Sequence, residues 1–202
     1  MAGRLQVEIV GVLAFACLLF IFSGCTRCEK ATALNLYSTD SISSGDIILR
    51  KSYGMVSEVI VARLNDTVDV SHCGIIYRDA QGHFNVIHAL SRKVSETDGM
   101  QICRLDDFLK DSRPETVRVV RYINDTTHGI IRQAIRYLDL KVPFDEDIDM
   151  ADTTRFFCSE LPIHIIKTLY HTDISDGAEK PKFSVFLNRQ YFKEIPLMQK
   201  AN

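Results

Sequence analysis

Two β-type runs, Val70–Arg78 and His83–Leu90, flank the turn Asp79-Ala-Gln-Gly82, and this hairpin constrains the chain more than any other feature. Both runs are rich in β-branched and aromatic residues, and a polar turn with a glycine joins them. Each run carries one histidine: His72 in Ser71-His-Cys-Gly-Ile-Ile-Tyr77, and His88 in Phe84-Asn-Val-Ile-His-Ala-Leu90. With a loop of three residues (Asp79–Gln81) or five (Arg78–Gly82), paired positions sum to 160 and His72 stands directly opposite His88. Opposed residues share a sheet face, with Cβ atoms about 5 Å apart. A loop of even length would put the two rings on opposite faces. Alternation sends Cys73 and Ile87 to the other face, so Cys73 is expected to be a core thiol.

The rest of the chain supplies helices around this hairpin. Ser44-Gly45-Asp46 is a turn signal before a short strand, Ile47–Leu49. Met55, Val56, Val59, Ile60 and Leu64 recur at helical spacing within Tyr53–Leu64. Met100–Arg104 reads as a strand, Leu105–Lys110 as a helical turn and Thr116–Ile123 as a strand. Thr127–Leu138 is an amphipathic helix with Thr126 or Thr127 as its N-cap. Asp145–Asp152 is acidic and predicts a solvated loop, and a largely apolar helix runs from Phe156 or Phe157 to Tyr170. Strands grouped between flanking helices predict an α+β domain with an antiparallel sheet packed on helices. The net charge of -2 gives no reason to expect nucleic acid as a partner.

Cys158 lies where that last helix begins, in Arg155-Phe-Phe-Cys-Ser-Glu-Leu-Pro162. Unpaired N–H groups at a helix start stabilise an anion, either a thiolate or an oxyanion formed nearby. A helix-start cysteine with two histidines on one hairpin face supplies a nucleophile, a base and a residue to orient the base. His83, His128, His164 and His171 do not group with these residues. Arg50, Lys51 and Arg155 are candidates for holding an anionic substrate. The cysteine spacing matches no structural zinc site, and Asp145-Glu-Asp-Ile-Asp149 lacks the spaced ligands and glycine of a calcium loop, so no metal or cofactor is expected.

Four segments resemble the NlpC/P60 superfamily of papain-like cysteine hydrolases. They are Ser44-Gly-Asp-Ile-Ile-Leu49, Ser71-His-Cys-Gly-Ile-Ile-Tyr77, Val86-Ile-His-Ala89 and Phe157-Cys-Ser-Glu-Leu161. Their order, histidine strand first and cysteine helix last, is similar to the circularly permuted branch with the YiiX-like and lecithin retinol acyltransferase groups. The likeness spans roughly Ile42 to Tyr170. It implies a permuted papain-like fold without cofactor, with Cys158 as nucleophile, His72 as general base and His88 as the residue that orients His72. Glu160 belongs to the motif, in either a catalytic or a structural role. The implied reaction is cleavage of an amide bond in a peptide or cell-wall fragment through a thioester. The alternatives are acyl transfer or ester hydrolysis on a lipid-like substrate, and silent binding of a peptide or lipid. Selectivity would rest on the loops Ser91–Gly99 and Val142–Thr154.

The N-terminus reads as a secretion signal. Ile9–Phe22 is an uninterrupted apolar run of 14 residues, short for a membrane span, which needs roughly 20. Phe22-Ser-Gly-Cys25 follows and resembles the lipobox of bacterial lipoproteins. That resemblance implies cleavage after Gly24 and lipid on Cys25; the alternative is an uncleaved anchor helix. The expected organisation is a signal peptide over 1–24, a lipid-anchored tether over 25–41 and the hydrolase domain over 42–202, held in the bacterial cell envelope. With Cys17 removed, Cys25 lipidated and Cys158 free, Cys28, Cys73 and Cys103 remain. That odd number argues against a full disulfide framework.

Overall fold

A computed structural model describes residues 37–197. The signal sequence, Cys25 and most of the tether lie outside those residues. Six strands form one antiparallel sheet: β1 (Ile47–Arg50), β2 (His72–Arg78), β3 (Phe84–Leu90), β4 (Gly99–Arg104), β5 (Arg118–Tyr122) and β6 (Phe192–Ile195), in the order β4-β3-β2-β1-β5-β6. Among the described residues four α-helices accompany them: α1 (Met55–Leu64), α2 (Leu105–Lys110), α3 (Gly129–Asp139) and α4 (Glu160–Tyr170). This is a mixed α+β architecture, as the sequence pattern predicts.

The two sheet faces bury separate cores. Odd-numbered residues of the central strands (Leu49, Cys73, Ile75, Ile87) pack with Ile130 and Ala134 of α3 and with Leu161 and Ile165 of α4. Even-numbered residues (Ile48, Ile76, Val86) pack with Leu105, Phe108 and Leu109 of α2. The second core also takes Tyr37 and Ile42, so the packed region extends N-terminal to residue 42. Each buried Ile, Leu or Phe contributes about 1.5–3 kcal/mol. β1 and β2 are thus buried on both faces, which explains why Ile47–Leu49 is continuously apolar.

The hairpin register differs from the expected one by two residues. Ile75 pairs with Ile87 and Arg78 with Phe84, so pairs sum to 162 and not to 160. The loop is Ala80–Gly82, because Asp79 N–H donates to the His83 carbonyl at 2.9 Å and closes the ladder one residue later than expected. The Asp79 carboxylate also accepts the N–H groups of Gln81 and His83, and Gly82 supplies the positive φ that ends such a three-residue loop. The shift is even, so both histidines keep a common face. His88 now stands across from Gly74, and His72 lies diagonal to it.

Helix boundaries moved as well: α4 begins at Glu160 and not at Phe156 or Phe157, because Phe157–Ser159 form the turn that precedes it. Helix α3 begins at Gly129 and is capped by the Asp125 carboxylate, which accepts the N–H groups of Gly129 and Ile130, not by Thr126 or Thr127. The acidic stretch is not all solvated: Asp145 is fully buried and accepts the N–H groups of Asp147 and Asp149.

Gly74 permits the close approach of β2 and β3 at the histidines. A Cβ there would stand 2.3 Å from Val86 Cγ1 and 3.2 Å from His88 Cβ. Gly74→Ala is therefore expected to destabilise the fold by about 1–3 kcal/mol through overpacking. Urea denaturation checks this, and an unchanged midpoint would refute the tight approach.

Candidate active site

His72 and His88 form a buried imidazole pair. His72 Nε2 and His88 Nδ1 are 2.8 Å apart, and both rings pack on Phe108, with centroids 5.5 Å and 5.8 Å away. The pair lies on the even-numbered sheet face above α2. Arg50, paired with His72 across β1 and β2, lays its guanidinium 4.4 Å from the centre of the Phe108 ring. Its NH1 bonds the carboxylate and carbonyl of Asp111, whereas its Nε is buried without a partner. Burial holds His72 well below the usual histidine range, with His88 and Arg50 adding to the effect. Burial and then Arg50 lower His88 to about 3. Both rings are neutral at pH 7. Since Nε2 of His72 faces His88, Nδ1 is the nitrogen of His72 left without a hydrogen-bond partner among the described residues.

Cys158 reaches the site from the other face. The turn Phe157–Ser159 leads into α4, and Leu161 N–H already donates to the Phe157 carbonyl. Glu160 returns a carboxylate oxygen to Phe157 N–H at 3.1 Å, the reciprocal half of a capping box. This contact is structural and fixes the backbone on either side of Cys158. Burial pushes Glu160 up to about 8, opposed by the Phe157 N–H and reinforced by Asp145, Asp152 and Asp149. Cys73 Sγ donates to the Cys158 carbonyl at 3.2 Å and ties the start of α4 to β2 beside His72. Cys73 is fully buried in the core with α4, as alternation predicts. Cys73, Cys103 and Cys158 are all free thiols.

The sequence places Cys158 beside the imidazoles; in the structure Cys158 and His72 line one cavity without a hydrogen bond between them. No hydrogen bond links Cys158 to either ring. His72 points to the α2 side, and Cys158 sits with Cys73 on the α4 side. What they share is a cavity of ≈ 270 Å³ lined by both residues. His72 can serve two faces because it opens β2: Ser71 N–H donates to the carbonyl of Arg50, the residue already paired with His72. Two residues thus oppose one at the end of the ladder, a bulge of the kind that re-aims a side chain.

Apolar side chains wall this cavity, among them Val56, Ile60, Leu90, Phe144, Ile148 and Phe157, with Arg63, Lys93 and Glu146 at its polar side. The two loops named from sequence supply much of it. They are joined by Glu146, which accepts from Ser91 Oγ and pairs with Lys93 Nζ. A second cavity of ≈ 260 Å³ adjoins it through His72, Val56, Ile60, Leu90 and Val94, and adds Arg50, Ser52, Ser57 and Ser71. Sequence reasoning missed Arg50 and Phe108 as neighbours of the histidines. Arg50 is one strand away at the Arg50–His72 pair, a contact only the β1–β2 register reveals. Arg50, Lys51 and Arg155 are all committed to carboxylates, Lys51 to Glu58 and Asp69, and Arg155 to Asp152 and Asp147.

No protein-family model matches the sequence, and no curated protein matches it. The fold does match a solved one, the crystal structure of metalloprotein YiiX from Escherichia coli O157:H7 (DUF1105). The TM-score is 0.61 at 15% identity, over 79% of this chain and 99% of that one. The fold is YiiX-like. At this identity the likeness concerns architecture alone, and the YiiX-like sheet carries the imidazole pair and the cysteine helix described above.

The neutral imidazoles set a pH dependence. Their folded values lie below the value of about 6.5 in an unfolded chain, so acid protonates the unfolded state first. Stability is therefore full above pH 6.5 and falls as pH drops toward 3, by up to about 1.4 kcal/mol per pH unit for each ring. His88→Asn, which keeps a polar atom near the Nδ1 position, is expected to flatten this slope by one ring's share. Urea titrations at several pH values between 4 and 7 measure it, and an unchanged slope would contradict a buried neutral His88.

Proposed function

We propose that the protein is a cysteine hydrolase that forms a thioester on Cys158, with His72 as base and His88 as the residue that orients it. The observation that carries this reading is the cavity lined by both Cys158 and His72. The free Nδ1 of His72 accepts the thiol proton as sulfur attacks the carbonyl carbon, and delivers it to the leaving group when the tetrahedral intermediate collapses. Water then attacks the thioester, again giving its proton to His72, and releases the acid. Backbone N–H groups at the start of α4 stabilise the oxyanion. His88 holds the ring through Nε2, and Phe108 fixes its plane. In the resting structure thiol and imidazole are not bonded, so substrate entry must draw them together across the cavity, as happens in many sites that are loose without ligand.

The implied bond is an amide in a peptide or cell-wall fragment. The apolar walls beside Cys158 favour a hydrophobic acyl portion, so ester hydrolysis or acyl transfer on a lipid-like substrate is the second reading. YiiX is described as a metalloprotein, and the residues here do not fit a metal. The two imidazoles bond each other beside a guanidinium, and no group of three or more His, Cys, Asp or Glu among the described residues could hold an ion.

The test is turnover of acylated peptides, muropeptides and lipid esters by wild type and variants. Cys158→Ala is expected to lose about 10³-fold or more, and His72→Ala about 10²–10⁴-fold. His88→Asn should lose less, since it acts through His72. Wild-type turnover by a folded Cys158→Ala protein on a confirmed substrate would end the proposal. Site-mapped alkylation gives a second readout. Burial raises Cys73 well above the ordinary thiol range and Cys103 to about 11, so neither supplies a thiolate at pH 7.

The Phe22-Ser-Gly-Cys25 sequence supports lipid attachment at Cys25 and a place in the bacterial cell envelope. Cys25→Ala should abolish incorporation of labelled fatty acid and block processing of the precursor. Equal labelling of the variant would remove the anchor from the proposal.

A further inference from the structure

Helix α1 turns its apolar stripe outward. In a core helix, residues spaced like Met55, Val56, Val59 and Ile60 would face the sheet. Here the buried residue of the first turn is Ser57, whose hydroxyl bonds Ser71 Oγ at 2.6 Å, and Leu64 anchors the far end. Met55 is 81% exposed, Tyr53 59%, Val59 56%, Val56 53% and, from the facing loop, Val94 49%. These are five of the nine large hydrophobic residues exposed among the described residues, so they are a patch and not the usual scatter. The patch continues inward without a break. Val56, Val59 and Val94 are at once its exposed members and the outer lining of the cavity that holds Cys158.

We propose that this lip, Tyr53, Met55, Val56, Val59 and Val94, docks on the lipid bilayer that holds the chain, so that the cleft opens directly onto lipid. The inference rests on the lipid anchor at Cys25. Twelve residue-to-residue steps separate Cys25 from Tyr37, the first described residue, and can reach at most about 40 Å. A domain of this size spans roughly 40 Å itself, so the tether is about as long as the domain is wide and holds the domain next to the bilayer. The α1 lip is the face that gains by burial there, at about 25 cal/mol per Å² of apolar surface removed from water. Arg63 and Arg92 are exposed beside it, Arg63 also reaching the Asp147 carbonyl and attracting Glu146, and both suit anionic headgroups. Glu58 on the same helix is neutralised by Lys51 and Arg113.

The chain contains no tryptophan, so one introduced indole reports its own surroundings. Met55→Trp is compared with Ile123→Trp, which lies past the far end of β5, away from α1. Each full-length protein is reconstituted into vesicles of phosphatidylcholine and phosphatidylglycerol, with and without brominated acyl chains. With the lip seated in the interface, the Met55→Trp emission should shift to the blue and lose about half its intensity to bromine, while the Ile123→Trp emission changes little. Equal quenching of the two reporters, or none of either, overturns the proposal. So does a blue-shifted Met55→Trp emission in lipid-free protein, which would mean that the lip is covered by another part of the chain or by a second copy. Quenching reads docking whether or not Cys158 turns over, and turnover of a soluble substrate reads the hydrolase proposal whether or not the lip docks.

Discussion

Alternation along β2 divides the site. His72 and Cys73 are neighbours in sequence, and the pleat sends one to the α2 side of the sheet and the other to the α4 side. Everything chemical in the molecule is arranged about that division. The imidazole pair takes its low-dielectric setting from Phe108 and its cationic neighbour from Arg50. The start of α4 takes its position from the Cys73 thiol. Only at the first residue of β2, where the ladder slips, does the sheet cease to be a wall, and there His72 lines the cavity that holds Cys158.

Carboxylates organise the segment that leads into Cys158. Asp145 is buried with two backbone N–H donors, and Arg155 is the nearest cation, at 3.9 Å. Asp145 N–H also reaches the Phe156 carbonyl, which lays the acidic loop along the residues just before the cysteine. Glu160 closes the same turn from inside the helix. Its raised value makes it neutral through most of the physiological range, and its contribution to stability is full below about 4.5 and is lost as pH rises from there through about 8. The imidazoles act in the opposite direction, so one set of groups weakens the fold as pH falls and the other as pH rises.

Much of this was legible in the sequence because it depends on parity and not on exact register. The loop of the hairpin was misplaced by one residue, the pairing moved by two, and the common face of His72 and His88 survived. Cys73 was legible as a core thiol for the same reason. The relation of Cys158 to that face was not, since no local pattern says on which side of a sheet a distant helix will pack. Arg50 and Phe108 were hidden because each meets the histidines through tertiary contact alone. The spacing of α1 announced a helix, yet carried no information that its stripe would point away from the core. β6 was not foreseen, because Phe192-Lys-Glu-Ile195 is too short to show a period.

Asp125 has a consequence for how the molecule opens. Its carboxylate caps the first turn of α3 and accepts the hydroxyl of Tyr170, the last residue of α4. Gly129 leaves room for that phenol, since a Cβ there would stand 2.6 Å from Tyr170 Oη. One side chain thus fastens the beginning of one helix to the end of the other. Fraying of α3 from its N-terminus and of α4 from its C-terminus is therefore coupled through one carboxylate. The helix that carries Cys158 at its head is held at its tail by a different element, and loss of that carboxylate loosens both helices at once.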